Sequence, residues 1–222
     1  AVAPLVTGES GDTASMSDAL SASTGETPAG FTRSSSGSFT GSRAALEYSY
    51  DLTCQDSEGT TLAQCNASTD TASVNVSWSG DFNTLRYDTE ISRTGSWTLS
   101  GIGGAVAELN GEGSFDIDSE FMSLDGNRQR TYRLAYSALY SAVQIDTMTR
   151  SATGGTASFA ITADRTASNR FRDVEASFDI SAEVTFTEEG AVLVLDGTRS
   201  YDLVVNLDGS VTVMPPESAL AL

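Results

Sequence analysis

Neither histidine nor lysine occurs in this chain of 222 residues, and their absence removes much of enzyme chemistry at once. Without His there is no Ser-His-Asp or Cys-His nucleophile, and no His-ligated zinc or haem. Without Lys there is neither a Walker-type phosphate loop nor Schiff-base catalysis. Long apolar runs are missing too, so no segment reads as a membrane-spanning helix. Positive charge is scarce: twelve arginines face thirty acidic residues, for a net charge of −18. Such an excess favours solubility through self-repulsion and disfavours nucleic acid or an anionic membrane as partner. What remains is the chemistry of carboxylates, Arg, Tyr and Ser/Thr, with hard cations that prefer oxygen ligands.

Cysteine is limited to Cys54 and Cys65. They flank Glu58-Gly59, a turn signal between two short arms. A disulfide closing so short a loop stabilises by about 3 kcal/mol. Such a bond implies an oxidising compartment. The opening Ala1-Val2-Ala3-Pro4 reads as the mature end of an exported chain. The expected location is therefore extracellular or at the cell surface, with the periplasm as the other oxidising choice.

What the chain has in quantity is alternation. Asn110-Gly111, Asp125-Gly126, Gly154-Gly155, Asp196-Gly197 and Asp208-Gly209 lie between runs of alternating apolar and polar residues. Asp-Gly and Asn-Gly suit the positive φ angles of type I′ hairpin turns. The pattern predicts an all-β protein, an antiparallel meander of ten or more strands over residues 38–214. It closes as a barrel, curls as a half-barrel or folds as a two-sheet sandwich. Residues 1–37 read as an extended polar N-terminal arm, flexible or donated to a neighbour, with a weak helical turn at Asp12–Ser23. Residues 215–222 read as a C-terminal tail.

Within the meander, residues 39–54 are expected as one long strand with Leu46, Tyr48 and Tyr50 on one face. Val74, Val76 and Trp78 alternate in the next strand, and Gly80-Asp81 turns the chain after it. Residues 106–109 and 114–121 form a hairpin around Asn110-Gly111, and residues 167–172 read as a loop. Residues 131–148 fit a helical stripe and a strand face equally well. An internal echo tips them to strand. Leu124-Asp125-Gly126-Asn127-Arg128 leads to Thr131-Tyr132-Arg133-Leu134, as Leu195-Asp196-Gly197-Thr198-Arg199 leads to Ser200-Tyr201-Asp202-Leu203. Ser114-Phe115-Asp116-Ile117 likewise recurs as Ser177-Phe178-Asp179-Ile180. Charged residues on one face of many strands argue against an outer-membrane barrel, which needs a continuous apolar band.

Four groups of residues are candidates for chemistry or contact. Asp116, Asp118 and Glu120 alternate on one strand face, roughly 7 Å between successive members. They are a possible calcium site, but no compact calcium loop of the EF-hand type accompanies them. A solvated outer face is the simpler reading. Arg128, Arg130 and Arg133, with Arg43 and Arg199 at echo positions, either grip an acidic ligand or pair across strands. Tyr132, Tyr136, Tyr140, Trp78 and Trp97 either stack on carbohydrate, line a lipid cavity or pack the core, the last being favoured. Val2, Leu5 and Val6 form a short apolar segment able to add a strand to a neighbour's open edge.

No constellation identifies a reaction, and no cofactor is called for beyond the calcium just weighed. The leading expectation is an exported, non-enzymatic structural protein. It would be a filament-type subunit of a cell-surface or extracellular assembly, self-associating through its N-terminal arm or a sheet edge. The alternative is an extracytoplasmic barrel or half-barrel binding module for an apolar ligand or glycan, a lipid or a sugar. That requires inward residues too small to fill the interior, for which Ala160, Ala176, Ala182 and the glycines of residues 101–104 leave room. A third class is a glycan hydrolase working through paired carboxylates.

Overall fold

A computed structural model describes residues 12–43, 46–169, 172–197, 201–206 and 211–214. Helix α1 (Asp12–Ser23) precedes twelve strands. These are β1 (Phe31–Arg33), β2 (Phe39–Arg43), β3 (Leu46–Gln55), β4 (Thr71–Asn83), β5 (Tyr87–Ser100) and β6 (Val106–Met122), followed by β7 (Arg128–Asp146), β8 (Ala152–Asn169), β9 (Arg172–Thr187), β10 (Gly190–Asp196), β11 (Tyr201–Asn206) and β12 (Val211–Met214). Each strand pairs antiparallel with its sequence neighbours, so the order in the single sheet runs from β1 to β12 without a crossover. The meander is therefore one open sheet, neither a closed barrel nor a two-layer sandwich. Among the described residues no helix is long and apolar enough to cross a membrane. The arm is described from Asp12 onward, where it carries α1 and β1; residues 1–11 and 215–222 lie outside the described residues.

Alternation explains why these segments are strands. In β4 the side chains of Ala72, Val74, Val76 and Trp78 are buried while Ser73, Asn75, Ser77 and Ser79 face water. The same period of two runs through β7, where Leu134, Tyr136, Ala138 and Tyr140 point inward. Of residues 131–148, 131–146 are thus strand, as the echo indicates, because only the period of two keeps all four of those side chains on the covered face, and Thr147 and Met148 belong to the turn that follows. The echoed Ser-Phe-Asp-Ile motifs fall on β6 and β9, where Phe115 is buried and Phe178 is exposed.

Several expected turns are instead strand interiors. Gly80-Asp81 lies within β4; the chain reverses at residues 84–86, where the Tyr87 amide donates to Thr84 Oγ1 at 3.0 Å. Asn110-Gly111 lies within β6 as a bulge, marked by a register shift against β7 between Leu109 and Gly111. There the Ala142 amide donates to Asn110 Oδ1 at 2.8 Å. Gly154-Gly155 lies within β8, opposite irregular register at Ser141–Gln144. That reversal comes at residues 147–150, where the Met148 and Thr149 amides donate to Asp146 Oδ1. The physical reason is close approach of backbones, which glycine permits inside a strand. A Cβ on Gly111 would collide with the Ser96 carbonyl, and one on Gly155 with the Ala142 carbonyl. Residues 39–54 are two paired strands, with Arg43 opposite Leu46. Residues 167–169 extend β8, and Arg172 already opens β9. Asp125-Gly126 is a true hairpin turn, and Asp196-Gly197 closes β10; Asp208-Gly209 lies outside the described residues.

Part of one face of the sheet is covered by α1. Ser15, Met16 and the whole run from Ala19 to Ser23 are buried, so the helix is enclosed on most sides. It meets β3 through Tyr50, whose hydroxyl donates to Asp18 at 3.5 Å, and β5 through Arg93, which donates to Ser15 Oγ at 3.3 Å. Arg150, in the β7–β8 turn, donates to Ser21 Oγ at 2.6 Å and to the Glu26 carboxylate. On a flat sheet, β3 and β8 would be about 24 Å apart, twice the width of a helix. The sheet therefore curls around α1.

Inside that curl an aromatic belt crosses the sheet. Phe31, Tyr48, Trp78, Phe115, Tyr136 and Phe159 follow one another with ring centroids 5.1 to 5.9 Å apart. Each such pair contributes about 0.5–1.5 kcal/mol beyond its buried area. The expected disulfide joins Cys54 to Cys65, and Arg33 donates to the Cys65 carbonyl at 2.9 Å, tying β1 to the bridged loop.

Two stability predictions result. Leu20→Ala, which empties the enclosed face of α1, lowers unfolding stability in urea by about 2–5 kcal/mol. An effect below about 0.5 kcal/mol would show that α1 is not part of the core. Replacing both cysteines by Ser costs about 3 kcal/mol while leaving the far-ultraviolet circular dichroism of the sheet in place.

Candidate binding site on the inner face

Strand register divides the inner face into cross-strand rows. Tyr48, Trp78, Arg93, Phe115, Tyr136 and Ile161 form one row, and all six are buried. The next row, toward the β6–β7 turn, is Ile91, Ile117, Leu134, Ala163 and Phe178; burial fades across it until Phe178 is 55% exposed. Beyond it come Phe82, Thr89, Ser119, Tyr132, Arg165 and Ala176. The outermost complete row is Tyr87, Phe121, Arg130, Ala167 and Val174. Large apolar and aromatic side chains continue into both outer rows among Thr89, Ser119, Arg130 and Arg165, but cover is lost: Tyr132 is 40% exposed and Tyr87 53%. The core thus runs out before the apolar face does.

A cleft of about 400 Å³ lies on these outer rows, lined by Tyr87, Ser119, Phe121, Arg130, Thr131, Tyr132 and Arg165. Tyr87 and Phe121 pack with ring centroids 5.0 Å apart and form one wall. Arg130 and Arg165 occupy diagonal positions on β7 and β8, because Arg130 faces Ala167 and Tyr132 faces Arg165. Diagonal neighbours of this kind have Cβ atoms about 7–8 Å apart, near enough for two guanidinium groups to converge on one anion. Among the described residues neither guanidinium has a side-chain hydrogen bond or ion pair with the protein.

Charge is sorted across the sheet at this end. On the outer face, Glu90, Asp118, Arg133 and Asp164 form one row, and Asp88 and Glu120 stand in the next. On the inner face, the two outer rows carry Arg130 and Arg165 and no Asp or Glu among the described residues; Arg128 and Arg172 stand one position farther out. In the β6–β7 turn beside them, Asp125 accepts hydrogen bonds from Ser123 and from Asn127. Those bonds, Ser123 first, hold its carboxyl at about 2.

The structure separates the sequence candidates. Asp116, Asp118 and Glu120 share the outer face of β6 as expected. Arg133 Nε donates to Asp118 at 2.8 Å, and Gln129 donates to Glu120. Among the described residues no group of three or more Cys, Asp or Glu is placed to hold a metal ion. Of the tyrosines and tryptophans, Tyr136, Tyr140, Trp78 and Trp97 are core, and Tyr132 lines the cleft. Of the arginines, Arg133 pairs across strands and Arg130 enters the cleft. Val2, Leu5, Val6 and Arg199 lie outside the described residues. Sequence reasoning missed Tyr87, Phe121 and Arg165. Their signal is only that they share the inward parity of their strands, which requires the register of four strands at once.

Compared with known proteins, the chain matches no family model, no curated protein and no solved structure. Geometry alone carries the functional reading.

Carbon-detected titration of the carboxyls gives the local electrostatic test. Asp125 titrates at about 2 in the folded protein. Because its folded value is depressed, its stabilising contribution is present above the ordinary carboxylate range and is lost as pH falls through about 2. A midpoint near 4 would show that the turn is not capped as described.

Proposed function

We propose that this protein is a non-enzymatic, extracytoplasmic binding module whose curled sheet takes an apolar or amphipathic small molecule at the open end of its inner face. One observation carries the reading: Phe82, Tyr87, Tyr132, Phe178 and Val174 lie in adjoining inner rows and are exposed, and Phe121 among them is only half-buried. Soluble proteins expose apolar side chains singly, and a contiguous apolar patch marks a binding surface. The half-barrel alternative fits this arrangement, with α1 filling one end of the curl and the ligand occupying the other. The Cys54–Cys65 bridge supports an oxidising location.

A second reading, a self-associating extracellular or cell-surface subunit, is favoured by the sheet edge. Among the described residues β12 has a partner on one side only, and Val213 on it and Tyr201 on the adjoining β11 are exposed. Such an edge is a template for a strand from another chain.

Aromatic-detected NMR during titration with 1-decanol, decanoate and a neutral oligosaccharide tests the first reading. Binding moves the Tyr87, Phe121 and Tyr132 ring signals and leaves Tyr48 and Trp97 in place. Signals unmoved by every probe overturn it. Light scattering across a hundredfold concentration range tests the second, which requires growth that Val213→Lys abolishes.

A further inference from the structure

The cleft has a sign. Its walls are Tyr87, Phe121 and Tyr132, the next inner row toward the core carries Ile117 and Leu134, and its charged groups are Arg130 and Arg165 alone among the described residues. In a chain of net charge −18 the default inner charge would be acidic, and the outer face at the same height is acidic. Two arginines on diagonal positions, without a protein carboxylate between them, make an anion site. Besides the guanidinium groups, the polar side-chain atoms on the two outer inner-face rows are the hydroxyls of Tyr87, Tyr132, Ser119 and Thr89, and the last two bond each other at 2.8 Å. That composition suits an apolar body better than a polyhydroxylated one.

We infer that the ligand is an amphipathic carboxylate, its carboxylate held between Arg130 and Arg165 and its apolar body laid along Tyr132, Phe121 and the Ile117–Leu134 row. This deepens the binding-module reading and rests on it. The arginines fix orientation: the charged head sits at the outer rows, within reach of solvent, and the tail points toward the core. Association is steered by the inner arginines and weakens as salt screens them.

The test uses the full chain with decanoate, 1-decanol of the same length, and trigalacturonate as the carboxylate without an apolar body. Binding is followed by calorimetry and by the Tyr132 ring signal. The expected result is decanoate binding at the cleft at least tenfold tighter than decanol. Added sodium chloride weakens it. The double variant Arg130→Gln, Arg165→Gln loses the preference for decanoate and keeps decanol affinity, whereas Arg133→Gln, on the outer face, changes neither. Equal affinity for decanol and decanoate overturns the carboxylate assignment while the binding-module reading stands. So does undiminished decanoate binding by the double variant. Trigalacturonate binding without decanoate binding overturns the amphiphile class. No binding of either decyl probe overturns both this inference and the reading beneath it.

Discussion

The apolar side of a twelve-strand sheet has to be taken out of water, and α1, set against Tyr50 of β3 and Arg93 of β5, supplies part of the cover. Its sequence explains how a helix so weakly amphipathic can be buried on most sides. Ala14, Ala19 and Ala22 and four serines make it thin, so neighbouring side chains can pack close to its axis. The buried hydroxyls stay satisfied because Ser21 and Ser23 donate back to the carbonyls of Ser17 and Ala19. Arg93 and Arg150 fasten it at two points far apart in sequence, and Arg93 also lies 5.8 Å from the Trp97 ring centre.

Lengths then decide where cover ends. A helix of 12 residues is about 18 Å long. Strand β7, with 19 residues, is about 60 Å long. No placement of α1 covers the inner face along that whole strand. The aromatic belt packs around the covered part, and the same alternation carries Tyr132 and Tyr87 past it into water, with Phe121 half-buried between them. The open cleft and the filled core are therefore one face under two conditions of cover. The binding proposal uses the uncovered part, and its two arginines are where the acidic excess of the chain is interrupted.

Much of this fold is legible in the chain because a half-buried strand writes its period directly into sequence. Val74-Asn75-Val76-Ser77-Trp78 admits one reading, and the echo settles residues 131–146 correctly. Glycine pairs were less transparent. Asn110-Gly111 and Gly154-Gly155 carry turn chemistry, yet both sit in strands where a neighbouring carbonyl leaves no room for a Cβ. A bulge and a turn ask the same of glycine locally, and only the pairing partner tells them apart. Helix α1 was visible only as a faint turn, since its stability comes from enclosure and not from an apolar stripe. The candidate site was half legible. Arg130 and Tyr132 stood out in a cluster, but Arg165 is more than thirty residues on and joins them only through the β7–β8 register. The acidic row of β6, conspicuous in sequence, faces outward and is engaged by Arg133 and Gln129.

The chain's seven tyrosines sample both conditions of the inner face, which makes hydroxyl-radical footprinting with mass-spectrometric readout the most direct test. Tyr48, Tyr50, Tyr136 and Tyr140 are under the cover of α1 and the aromatic belt, whereas Tyr87, Tyr132 and Tyr201 are in water. The account predicts rapid oxidation of the second set and strong protection of the first. Protection of Tyr87 and Tyr132 equal to that of Tyr136 would mean the inner face is covered to its end, and the open cleft would not exist.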